Sequence, residues 1–144
     1  MAAKPETTFI KSIHNHLQET YAEKMNNPFR SGCADVWYSG SKGDIWVEYK
    51  YEPSLPKIKE YLPDVSPRQA KWLGDRYSEG RKVFVILGLP EGGVIYEDTS
   101  WLVPQTRAQL LQRVLTRLEL AKWIYEQVGS SPCKRSSGRS KPFP

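Results

Sequence analysis

Asp35, Glu48 and Lys50 are the residues whose types and spacing point most directly to chemistry. They sit in or beside two strand-forming runs, Asp35-Val36-Trp37-Tyr38 and Ile45-Trp46-Val47-Glu48-Tyr49-Lys50, separated by the turn-forming run Ser39-Gly40-Ser41-Lys42-Gly43-Asp44. This pattern predicts a β-hairpin. Side chains alternate along a strand, so Ile45, Val47 and Tyr49 share one face and Trp46, Glu48 and Lys50 the other. With the turn centred between Ser41 and Lys42, Asp35 falls opposite Glu48, and two carboxylates and an ammonium meet on one patch of sheet. Carboxylates at short range repel, so they need a proton or a cation between them. Hard oxygen donors without histidine or thiolate suit Mg²⁺ or Mn²⁺. Such an ion polarises a phosphate oxygen and acidifies water, with Lys50 steadying that water or the developing charge. The ordinary alternative is a cross-strand charge pairing on a solvated face, since Glu-x-Lys is a common triplet.

Gly32-Cys33-Ala34-Asp35, Val47-Glu48-Tyr49-Lys50, and Ser66-Pro67-Arg68-Gln69 with Trp72-Leu73 precede an apolar run from Lys82 to Leu87. In wording, order and spacing this resembles the VRR-NUC (virus-type replication-repair nuclease) branch of the PD-(D/E)xK nucleases, over roughly Pro5 to Asp98. The resemblance implies a metal-dependent phosphodiesterase in which Asp35 and Glu48 hold the ion and Lys50 is the catalytic lysine. It also implies that the carbonyl of Tyr49 is a further ligand and that Gln69 matches the glutamine of the family's following helix. Glu6 becomes a candidate for the glutamate that such nucleases often carry on their first helix. An acidic residue near a helix N-terminus is also what the helix dipole favours. The proline that usually precedes the aspartate is Ala34 here. Stand-alone domains of this type, found in phages and their hosts, are associated with branched DNA in replication or repair. Implied partners are DNA and, on a two-fold symmetric junction, a second copy of the chain. No small-molecule cofactor is implied.

The elements that would position these residues are legible in outline. Phe9, Ile10, Ile13 and Leu17 form a helical stripe within a first helix from about Glu6 to Leu17. His14 and His16, two apart, point to different faces of it. A first strand is expected over Thr20 to Met25, with Tyr21 and Met25 facing in. Pro53, Pro56 and Pro63 argue against regular structure from Tyr51 to Val65. Lys57 and Lys59 in that loop, with Arg30 before the hairpin, are candidate nucleic-acid contacts, and Tyr61 is a candidate for stacking on a base. Ser66 to Gly80 reads as a helix opened by an N-cap, a proline and a capping box closed by Gln69. Gln69 either completes that cap or reaches the edge of the site. Strands are expected at Lys82 to Leu87 and Val94 to Glu97.

A long helix from about Thr106 to Val128 is then expected, with Leu110, Leu111, Val114, Leu118, Ala121, Tyr125 and Val128 inside. Its outward Arg113, Arg117 and Lys122 are a solvated face or a second DNA surface. The whole predicts an α/β fold, a mixed β-sheet flanked by helices, over residues 1–128, with a disordered basic tail over 129–144.

The chain has 144 residues, enough for one domain, and 39% of them are hydrophobic. A net charge of +5 is compatible with a polyanionic partner without requiring one. No apolar run approaches membrane-spanning length and the start lacks a signal-peptide core, so the expectation is cytoplasmic residence, in the host if the protein is phage-encoded. Cys33 and Cys133 lack metal-finger spacing and are expected as free thiols. The alternative to a nuclease is a catalytically inactive nucleic-acid-binding module on the same scaffold.

Overall fold

The strand-forming residues stop at Gly40 and resume at Gly43, and in the computed structural model the chain reverses there. β2 (Val36–Gly40) pairs antiparallel with β3 (Gly43–Tyr51), with Gly40 across from Gly43, Trp37 from Trp46 and Val36 from Val47. Ser41 and Lys42 form the turn, so the expected register holds. The structure describes residues 4–17, 19–25 and 32–132. Arg30 and Cys133 lie outside them, as does most of the expected tail.

β1 (Tyr21–Lys24) adds antiparallel to the outer edge of β2. From β3 the chain crosses through α2 (Pro67–Ser78) to β4 (Val83–Leu89), which pairs parallel with β3. β5 (Gly92–Tyr96) returns antiparallel to β4. The result is a five-stranded mixed sheet in the order β1-β2-β3-β4-β5. Every residue of β4 is buried, as its unbroken apolar run requires of a strand covered on both faces.

α1 (Pro5–His14) and α4 (Arg117–Val128) cover one face of the sheet. They bury Phe9, Ile10, Ile13, Leu120, Ala121, Ile124 and Val128 against Val36, Tyr38, Ile45, Val47 and Tyr49. Gly88 and Gly93 pair across β4 and β5 beneath Phe9. A Cβ on Gly88 would come within 2.6 Å of the Phe9 ring, so the bare backbone there sets how closely α1 seats. The other face holds Leu73 of α2, Leu110 of α3 (Arg107–Leu111) and Trp101 of a 3₁₀ turn, Ser100–Leu102. Among the described residues no helix is long and apolar enough to cross a membrane.

Three expectations need correction. The single long helix is two helices, and between them Leu115 bridges to Gly93 in β fashion. Thr106 with Gln109 and Thr116 with Glu119 each form a complete capping box, so the sequence starts a helix twice. The break rotates the inner stripe: Leu120 and Ile124 are buried, whereas Leu111, Leu118 and Tyr125 are exposed. Second, Ala22 is the buried residue of β1, and Tyr21 instead packs edge-on against Trp37 on the opposite face. Third, α1 stops at His14, although Leu17 stays buried beyond it.

The outward arginines are largely engaged. Arg113 bonds Gln105 and the carbonyl of Ile95, and Arg117 lies over Phe9 and bonds Ser12. The chain also remains bound to the body beyond residue 128. Thr20 donates to the carbonyl of Gly129, Ser41 N–H to that of Ser130, and Ser131 N–H to that of Glu19.

Candidate active site

The β2–β3 register carries Asp35, the residue before β2, to the position across from Glu48. There Asp35 Oδ2 accepts the amide N–H of Tyr49 at 2.8 Å, so the carboxylate is tied to the backbone of β3. Glu48 and Lys50 point to the α2 side of the sheet, opposite Val47 and Tyr49, as alternation demands. Lys50 Nζ lies 3.2 Å from Glu48 Oε2.

α2 closes this patch through Gln69. Its Nε2 donates to Glu48 Oε2 at 2.7 Å, and its Oε1 accepts from Lys50 Nζ at 3.1 Å. The same Oε1 accepts from the amide of Ser66 at 3.0 Å, completing the capping box. The two roles expected as alternatives for Gln69 are therefore combined in one side chain. The cap fixes its orientation, and the amide then bridges the carboxylate and the ammonium.

Glu48 is 1% exposed. Burial, and next the charge of Asp35, pushes its carboxyl up to about 8, with Lys50 opposing. Asp35 is raised by burial, against the pull of the Tyr49 amide and of Lys50. Glu6, in the first turn of α1, is raised by burial and then by Asp35, and its own charge acts in turn on Glu48. Three acidic groups thus share one electrostatic neighbourhood. Among the described residues, though, no three such side chains close into a ready-made metal cage.

Glu48 Oε2 receives both Gln69 and Lys50, whereas Glu48 Oε1 is buried with no hydrogen-bond partner among the described residues. A buried carboxylate oxygen without a donor is costly in a finished core. It fits an oxygen-ligating ion, as do the hard donor types of Asp35 and Glu48.

Lys57 and Lys59 are exposed on the loop that follows β3. The hydroxyl of Tyr61, the candidate for stacking, donates to Glu52 at 3.0 Å and its backbone bridges to Gln105. His14 is buried and bonds Tyr38, whereas His16 is exposed. Cys33 forms no disulfide among the described residues. Ala34 is fully buried.

The architecture is a mixed five-stranded sheet flanked by helices. It is similar to the solved structure of Hjc from Archaeoglobus fulgidus, a Holliday junction resolvase from an archaeal hyperthermophile. The TM-score is 0.52 at 14% sequence identity, covering 81% of this chain and 96% of that one. No family model matches the sequence, and no curated protein matches it.

Proposed function

We propose that this protein is a divalent-cation-dependent DNA endonuclease of the VRR-NUC kind, acting on branched or junction DNA in replication or repair. The observation that carries this reading is the buried Glu48, half-bonded, across from Asp35 and beside Lys50, on the fold of a junction resolvase.

Asp35 and Glu48 would hold the ion, with the carbonyl of Tyr49 as a further donor. The amide of Tyr49 faces Asp35, and the N–H and C=O of one residue in an extended strand point to the same side. Mg²⁺ or Mn²⁺ bound there supplies positive charge to a phosphate oxygen and makes water a better nucleophile. Lys50 directs two of its three donors to Glu48 and Gln69, which leaves one for water or phosphate. With that donor it orients water or offsets charge on the phosphate. Gln69 fixes Glu48 and Lys50 relative to each other, which is the positional precision that phosphoryl chemistry needs. Lys57, Lys59 and Arg30 serve as contacts to the DNA backbone, and a second copy of the chain serves the other strand of a symmetric junction.

The test is a cleavage panel of single strands, duplexes, flaps and four-way junctions, with and without Mg²⁺ or Mn²⁺. Cutting of branched substrates only with the ion present is expected. A parent protein that binds these DNAs but cuts none of them would instead be the inactive binding module.

A further inference from the structure

The alternation that turns Glu48 and Lys50 toward α2 turns Trp46 the same way, two residues earlier and about 7 Å along the strand. On α2, Trp72 and Arg76 follow Gln69 by one and two helical turns on the same side. These two rows lead from the carboxylates into an open groove of ≈ 710 Å³. Trp46, Trp72 and Arg76 form its wall, and Lys42, Arg81 and Lys82 line it as well.

The aromatic wall is braced from behind. Trp37 stacks on Trp46 with ring centroids 5.7 Å apart and an 18° interplanar angle, and Trp46 meets Trp72 edge-on at 5.8 Å. The Arg76 guanidinium lies 5.4 Å over the Trp72 ring. Two acids also line the groove. Asp44 accepts the Ser39 hydroxyl, and Glu79 is paired with Arg76 at 2.9 Å and Arg81 at 3.9 Å. Cations outnumber acids, and Lys82 extends the positive charge along the groove.

Indole and guanidinium faces beside phosphate-seeking cations match an unpaired nucleotide, whose base has a free face to stack. A base inside a duplex has both faces covered and offers none. We infer that this groove holds an unpaired nucleotide of the bound strand, next to the phosphate at Asp35 and Glu48. The site then favours DNA that leaves the duplex there, as at an arm or bulge, over continuous duplex. The placement beside a reacting phosphate rests on the nuclease reading, but stacking in the groove requires no cleavage.

The experiment measures binding, in EDTA, of duplexes carrying a short single-stranded arm, with normal or abasic residues where the arm leaves the duplex. The parent protein should lose about five- to a hundred-fold in affinity when those bases are removed. Trp72→Ala should bind the normal arm correspondingly worse and no longer distinguish it from the abasic one. Trp72→Phe, which keeps an aromatic face, should retain most of the discrimination. Equal binding of normal and abasic arms by the parent overturns the inference whatever the variants do. Full discrimination in a folded Trp72→Ala overturns it too. A parent that discriminates but cuts no DNA with Mg²⁺ or Mn²⁺ refutes the nuclease and leaves the groove assignment standing.

Discussion

β3 buries a polar group on each of its faces, and the two are treated differently. On the α1 side, Tyr49 is fully buried, its hydroxyl bonded to that of Tyr38 at 2.5 Å, and Tyr38 reaches His14 Nε2 at 2.7 Å. Burial raises the Tyr49 hydroxyl far above its ordinary range, so it remains a neutral donor or acceptor. On the α2 side Glu48 is equally buried, yet one of its oxygens has no partner among the described residues. The first arrangement is how a core absorbs polarity: the hydroxyls bond one another. The second leaves a carboxyl oxygen unbonded at a cost to stability, which points to a ligand rather than to packing.

Substitutions on the two faces should therefore separate activity from stability. The largest effect is expected from Asp35→Asn and Glu48→Gln, each nearly preserving shape while removing an anionic ligand from the proposed ion. Cleavage should fall on the order of a thousand-fold, with the unfolding temperature of the metal-free protein held or raised. Tyr38→Phe should do the reverse. It strands the buried Tyr49 hydroxyl at about 1–3 kcal/mol, seen as a lowered unfolding temperature, with turnover per folded molecule little changed. If both kinds of variant lose stability alike, the contrast between the faces is wrong. Lys50→Ala should slow cleavage about a hundred-fold with a smaller effect on metal affinity, because it acts on water or phosphate and not on the ion.

The same contrast has a pH signature. Glu48 is raised from 4.5 to about 8 in the folded protein, so the folded state holds its proton more tightly than the unfolded state. The associated stability is complete below about pH 4.5 and is lost as pH rises through about 8. Denaturant unfolding in EDTA should show stability declining across that window, and Glu48→Gln should flatten the decline. A parent profile rising through the window would contradict the shift. The smallest effect concerns the four cations of the tail, Lys134, Arg135, Arg139 and Lys141. Deleting 133–144 while keeping the bound segment through Ser131 should lower DNA affinity. It should also reduce the slope of log affinity against log salt by about 3 if all four meet phosphates. The unfolding temperature should not change.

Much of the site was legible because it depends on local rules. Turn chemistry at Ser41-Lys42 fixed the register, and the period of two then settled which side chains join Glu48. The capping box at Ser66 placed α2, but no local rule reveals that Gln69 Oε1 serves the cap and Lys50 together. That depends on how closely α2 sits over β3. The two-helix break was readable from Thr116 and Glu119, yet apolar residues at helical spacing run through it and mask the second start. The same run hides which residues form the buried stripe. Glu6 could not be placed from sequence, because its nearness to Asp35 depends on the seating of α1 over Gly88.

The most direct measurement is a calorimetric titration of the parent protein and Glu48→Gln with Mn²⁺ near pH 7, in buffers of differing ionisation enthalpy. Glu48 holds its proton at that pH, so an ion that takes its carboxylate must release it. The parent should bind Mn²⁺ with net proton release to the buffer. Glu48→Gln should bind far more weakly, and without that release. Undiminished binding by Glu48→Gln, or no Mn²⁺ binding by the parent, would contradict the assignment of Glu48 and Asp35 as a cation site.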